Sequence, residues 1–245
     1  EHFANLWSAL LRNQRDPRRS DATKPGSFAF HRWIVEQLNR NLSYDTFVRR
    51  ILTASGDIQH NPPVAWYRQV NETQEMMEDT AQLFLGTRLQ CAQCHHHPFE
   101  RWSQKDYYHF SAFFSRVGRE SGSRPSENRI FHRVGRPAAR HPKDGTALAP
   151  AGLGAEPLTS LPLTEDPRER LVDWMVSPDN PLFAHVLVNR YWKRLMGRGL
   201  VEPEDDFRAT NPPTNPELLE ALAQRFIASG YDLKGLVRDI CLSTV

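Results

Sequence analysis

Apolar side chains recur along the chain at the three- and four-residue offsets of a helix face. Phe3, Leu6, Trp7, Leu10 and Leu11 open the series, and that spacing predicts an amphipathic helix. The polar stretch "RDPRRSDATKPG" predicts a turn, after which Phe30, Trp33, Ile34 and Leu38 repeat the pattern as far as "NRN". Ser43 is placed to cap a third helix by taking a free amide of its first turn, with Tyr44, Val48, Ile51 and Leu52 as the apolar face and "SGDIQHNPP" as the stop. "NETQEMMEDTAQLFLGTRLQ" predicts a long helix that delivers the chain into Cys91, its acidic start suiting the positive end of the helix dipole. Ser103 and Asp106 then stand in capping-box spacing before a helix carrying Tyr107, Phe110, Phe113 and Phe114.

From Gly118 to about Pro167 the periodicity fails in "GRESGSRPSENR" and "APAGLGAEPLTSLPLTEDP", which read as linker. Within it "RIFHRV" and "TALAP" flank the turn signal "HPKDG", which predicts a small hairpin. Helical patterning resumes in "RERLVDWMVS". Asn180 is read as the cap of a helix running to Gly197, Asn215 and Pro216 as the start of one stopped by Gly230, and Asp232 as the cap of the last. The expectation is a mainly α fold. Two helical domains or subdomains, 1–117 and 167–245, are joined by a linker over 118–166 that holds the hairpin, with no internal repeat. Because the chain opens on one helical pattern and closes on another, "GLVRDICLSTV", it is expected to be a stretch of a longer polypeptide.

With 39% hydrophobic residues and a net charge of +2 spread along 245 residues, the chain has a globular composition and no basic stripe to grip nucleic acid. Its densest basic cluster, "RNQRDPRR", reads as a solvated helix end and loop. No apolar run is long enough to span a bilayer, and "EHFANLWSALL" has neither a basic lead nor a cleavage site. Three cysteines cannot build a disulfide scaffold. Cys241, on an apolar helical face, is expected to be a buried, inert thiol.

The other two cysteines stand in "CAQCHHHPFERW". Cys91, Cys94 and His95 form Cys-x-x-Cys-His, the attachment signature of c-type haem. Two thiols three positions apart on a helical turn suit the two vinyl groups, and the next imidazole faces iron. Met76, Met77, His109, Met175 and Met196 are candidates for a second axial ligand. A rival reading is a zinc or iron site drawn from Cys91, Cys94, His95 and His97; the spacing argues against all four on one tetrahedral ion and leaves a site of two or three of them with His109 or Asp106 and an open position for water. A third is a redox dithiol or a Cys91–Cys94 staple, and a fourth is a turn whose histidines cap helices. Elsewhere Glu202, Glu204, Asp205 and Asp206 cluster near Arg198 and Arg208 in "GRGLVEPEDDFRATNPP". They are read first as solvated charges or caps, with Arg190 and Trp192 as ion-pair and packing partners, and second as a cation or acid/base site.

The stretch "FLGTRLQCAQCHHHPFERWSQKDYYHFSAFFSRV" resembles a bacterial family abundant in planctomycetes, the planctomycete cytochrome-associated domain of unknown function fifteen forty-nine. "NPLFAHVLVNRYWKRLMGRGLVEPEDDFRATNPPTNPELLEALAQRFIASGYDLKGLVRDIC" resembles its usual partner, domain of unknown function fifteen fifty-three. The family's Cys-x-x-Cys-His-x-His-Pro pattern falls on Cys91, Cys94, His95, His97 and Pro98, with His96 where an acidic residue or Asn is common. The resemblance implies an exported protein of the periplasm or cell envelope, often with a cytochrome domain upstream that would be a redox partner. Together with the motif it gives the leading expectation, a haem- or metal-binding electron-transfer module. The alternatives are a non-haem metal-dependent enzyme acting on extracellular polymers and a structural interaction domain.

Overall fold

The apolar stripes become helices with those stripes inward. α1 (His2–Leu10) buries Ala4 and Trp7, α2 (Ser27–Asn39) buries Phe30 and Ile34, and α3 (Tyr44–Leu52) buries Tyr44, Phe47, Val48, Ile51 and Leu52. The computed structural model describes residues 1–13, 26–123 and 127–243. All of "RDPRRSDATKPG" but Gly26 lies outside them, and with it the turn and most of the basic cluster expected there. Ser43 does stand at the N-cap of α3, but its hydroxyl donates to Thr46 Oγ1 at 2.9 Å and takes no amide.

α4 (Thr73–Leu85) starts where Glu75 accepts the free amides of Asn71 and Glu72 at 2.8 and 3.3 Å. It stops at Gly86 instead of running into Cys91, because the backbone there turns left-handed at φ 59. A Cβ at Gly86 would come within 2.6 Å of the Phe207 ring, and the Gly86 carbonyl accepts the Phe207 amide at 2.8 Å. A second-half loop therefore ends a first-half helix. A 3-10 turn, Gln90–Gln93, carries the chain into the motif. α5 (Gln104–Ser111) has the expected box, Ser103 Oγ accepting the Asp106 amide at 3.2 Å and Asp106 accepting the Ser103 amide at 2.8 Å.

Two antiparallel ribbons follow. β1 (Val117–Glu120) pairs with β2 (Arg129–His132), and β3 (Ala139–Arg140) pairs with β4 (Ala147–Leu148). The turn "HPKDG" closes the second ribbon, as its sequence signals. "RIFH" does not flank that turn as a partner of "TALAP"; it pairs back to Val117–Glu120. It is held there from both sides, since Gly56 exchanges backbone bonds of 2.7 and 2.9 Å with Ile130, the buried residue of β2.

The second helical part holds α6 (Pro167–Met175), α7 (Leu182–Met196), α8 (Pro216–Ala228) and α9 (Leu233–Leu242). Asn215 and Asp232 cap α8 and α9, accepting the amides of Leu218 and Gly235 at 3.0 and 2.9 Å. α7 begins one residue later than expected, with Asn180 Oδ1 reaching the Leu182 amide at 3.3 Å, and Gly197 ends it at φ 83. α9 buries Leu233, Leu236 and Ile240. Cys241 is exposed, contrary to expectation, because it lies off that stripe on a helix covered along one side only.

The buried side chains of the two helical parts merge in one core, with α4 packed on α7 and α3 on α6. Two buried arginines cross the junction. Arg168, 1% exposed, sits above the Tyr67 ring and donates to Asp166 at 2.6 Å, the Ala54 carbonyl at 3.2 Å and Ser55 Oγ at 3.3 Å. Arg190, 2% exposed, donates to the Leu83 carbonyl at 2.9 Å and to Glu204 at 3.2 Å. Among the described residues no helix is long and apolar enough to cross a membrane.

Candidate functional site

The motif is a short exposed connection between α4 and α5. Gln104 Nε2 donates to the Gln93 carbonyl at 2.7 Å and ties the 3-10 turn to α5, while the His97 amide donates to the Trp102 carbonyl at 2.9 Å and closes the histidine turn. Cys91 lies on the 3-10 turn and Cys94 caps it; both thiols are free and exposed. Three positions separate the thiols, and Cys94, at the cap, lies near Tyr107 and Tyr108 of α5.

The three histidines differ. His95 is exposed, and its Nδ1 lies 2.6 Å from the His96 carbonyl. A carbonyl only accepts, so the proton is on Nδ1 and the Nε2 lone pair is free. His96 is exposed. His97 is half-buried, and its Nδ1 accepts the Phe99 amide at 3.2 Å, which puts the proton of the neutral ring on Nε2. Burial lowers the His97 pKa, Arg208 and His95 add to the effect, and the Arg88 carbonyl and Asp206 oppose it. His109 resembles His95, with Nδ1 donating to the Ala149 carbonyl at 2.6 Å. Asp106 is committed to the α5 box. Met76, Met77 and Met175 are buried in the core, and Met196 is exposed at the end of α7. Among the described residues no three His, Cys, Asp or Glu side chains converge to hold a metal ion.

What the sequence kept apart, the fold joins. The acidic loop packs beside the motif, and Cys91, His97, Glu100, Asp206 and Arg208 line one cavity of about 230 Å³. Arg88 Nη2 donates to Asp205 at 2.6 Å and Arg208 Nη2 to Asp206 at 2.8 Å, and Gln82 Nε2 donates to Asp205 as well. Burial pushes the Asp205 carboxyl up, but its bonds to Gln82 and Arg88 outweigh that and hold it below the usual range. Glu202 and Glu204 are taken by Lys193 at 2.9 and 3.4 Å. Every carboxylate of the loop thus has a cation. Arg190 is the ion-pair partner foreseen for it, and Trp192 packs into the core.

Residues 1–119 match the family model described as PSCyt2, protein of unknown function (DUF1549), and residues 167–245 match PSD1, protein of unknown function (DUF1553), in that order. The chain belongs to the proteins that carry this pair. No curated protein and no solved structure matches it. The contacts of Arg88 with Asp205, and of Gly86 with Phe207, are therefore contacts between a DUF1549 segment and a DUF1553 segment. Sequence reading missed Arg88 and Glu100 around this junction and read Asn180 only as a helix cap. Arg88 lies three positions before Cys91, but an arginine there carries no signal of its partner more than a hundred residues away.

Proposed function

We propose that this DUF1549–DUF1553 chain is a cell-envelope module that carries c-type haem on Cys91 and Cys94 and serves electron transfer. The observation behind this reading is the state of His95, an exposed residue whose Nδ1–H is spent on the His96 carbonyl, which in the neutral ring leaves the lone pair on Nε2. Iron-binding histidines are held in that tautomer by the same kind of bond. The free, exposed thiols three positions apart support it further. Each thiol would add across a vinyl group, its S–H becoming one S–C and one C–H bond, so attachment needs no oxidant. Bound haem would supply one-electron chemistry.

A dithiol that cycles to a disulfide is the second reading, favoured by the same thiol pair. A zinc or iron site that includes His97 has weaker support, because that ring's Nδ1 is already accepting and its Nε2 carries the proton.

The test is an absorption spectrum, elemental analysis and intact mass of the full chain exported with haem-attachment machinery. Haem predicts a Soret band, one iron per chain and a mass gain that survives denaturation. A colourless protein ends the haem reading: a loss of two hydrogens then supports the dithiol, and a stoichiometric ion removed by a chelator supports the metal site.

A further inference from the structure

Beside the motif a cleft of about 940 Å³ opens between the DUF1549 turn 98–102, the linker at 153–155 and DUF1553 residues of 174–182 and 207–210. Its walls contain none of Cys91, Cys94 and His95. Four aromatic rings line it: Phe99, 63% exposed, with Trp102, Trp174 and Phe207. The Arg101 guanidinium lies 4.6 Å from the Trp102 ring centroid and fixes that wall.

Two polar atoms in this wall are buried without a partner. One is Glu100 Oε1, an acceptor; the other is Nδ2 of Asn180, a donor on a side chain only 8% exposed. Glu100 also borders the adjoining cavity of about 230 Å³, where Arg88 Nε and Arg208 Nε are further buried donors without partners. Orphaned buried polar atoms are costly and few in folded proteins, and a ligand is one way to satisfy them.

The charges select among ligands. Arg88 and Arg208 are already paired with Asp205 and Asp206, and Arg101 in the cleft wall is outnumbered by Glu100 and Asp179, so no net positive charge is left for an anion. Burial raises the Glu100 pKa, with Asp206 adding to the effect and Arg208 and Arg101 opposing it. A dication lacks a converging donor set among the described residues. A proline-rich peptide would suit the aromatic walls, but its prolines offer acceptors only and would leave Glu100 Oε1 unsatisfied. What remains is a neutral ligand with flat apolar faces whose hydroxyls both donate and accept.

We propose that this cleft binds a neutral oligosaccharide, its ring faces on Phe99 and Phe207 and its hydroxyls bonded to Glu100 and Asn180 once those side chains turn their unpartnered atoms out of the wall. The volume lies within the about 300–1,000 Å³ of ligand pockets, which accommodates more than one sugar ring. Phe99, Glu100 and Phe207 also border the smaller cavity that Cys91 lines, so a group carried on Cys91 would abut the sugar, and binding is compared with and without it.

The experiment titrates the full chain with malto-, cello-, xylo- and mannohexaose, a polygalacturonate hexamer and a proline-rich peptide. Tryptophan emission and calorimetry are read with and without haem. Saturable binding of at least one neutral hexaose is expected, weakened about tenfold in Phe99→Ala and in Glu100→Ala, the loss of one stacking surface or one hydrogen bond to a charged group. Phe99 is exposed, so its variant keeps the fold even if Glu100→Ala does not. The proposal is overturned if no neutral hexaose binds at millimolar concentration, if only the uronate or the peptide binds, or if Phe99→Ala leaves the affinity unchanged.

Discussion

Arg88 Nη2 donates to Asp205 Oδ1 at 2.6 Å across the junction of the two family domains. The bond connects the approach to the thiol motif with the acidic loop, and Arg88 Nη1 lies 3.8 Å from Asp206. Because Arg88 is partly exposed, screening limits the pair. A double-mutant cycle of Arg88→Met and Asp205→Asn in urea is expected to give a coupling energy of about 1 kcal/mol. Asp205 is more acidic folded than unfolded, so its contribution is whole above the ordinary value of 3.8 and is lost as pH falls through the lowered one. A coupling that is absent at neutral pH and grows in acid contradicts the clamp.

His97 should titrate below its ordinary value of 6.5, because burial disfavours the charged ring. Protonation turns Nδ1 from an acceptor into a donor facing the Phe99 amide. The stability this residue contributes is therefore present above pH 6.5 and disappears as pH falls through the lowered pKa. Histidine Cε1–H shifts in the folded protein report the value directly. A His97 midpoint above 6.5 contradicts the assignment.

Arg168 crosses from α6 to the end of α3 while almost wholly buried. Arg168→Met removes its bonds to Ala54, Ser55 and Asp166 and strips a carboxylate of its cation, so a loss of about 3 kcal/mol in urea unfolding is expected. Arg168→Lys keeps the charge but not the fork and should fall between the two. A methionine variant as stable as the parent would show that the junction is held by its apolar contacts alone.

In the reduced, haem-free protein, Cys91, Cys94 and Cys241 are all exposed and free. Native thiol titration should give three equivalents, matching the denatured protein, and Cys241→Ser should remove one of them. Under haem attachment the native count should fall to one, and Cys94→Ser should prevent the full two-thioether product. A native titer of two in the reduced protein would restore the buried Cys241 that its sequence position suggests.

The sequence by itself determined the helices and most of their ends. Trp7, Val48, Ile51, Leu219 and Leu236 sit on apolar stripes because three- and four-residue spacing requires it, and Asn215, Asp232 and Ser103 cap because local side-chain geometry suffices. The thiol motif was equally legible, since Cys91, Cys94 and His95 lie within five consecutive positions. Tertiary structure decided what depended on distant partners: where α4 stops, because Phe207 packs against Gly86; which strand "RIFH" joins, because Gly56 meets Ile130; and that Cys241 faces solvent. It also decided the composition of the site. Asp205 reaches Arg88, and Asn180 joins Glu100 in one cleft, only after the two family domains close on a common core, and no local periodicity encodes a contact between charges so far apart in the chain.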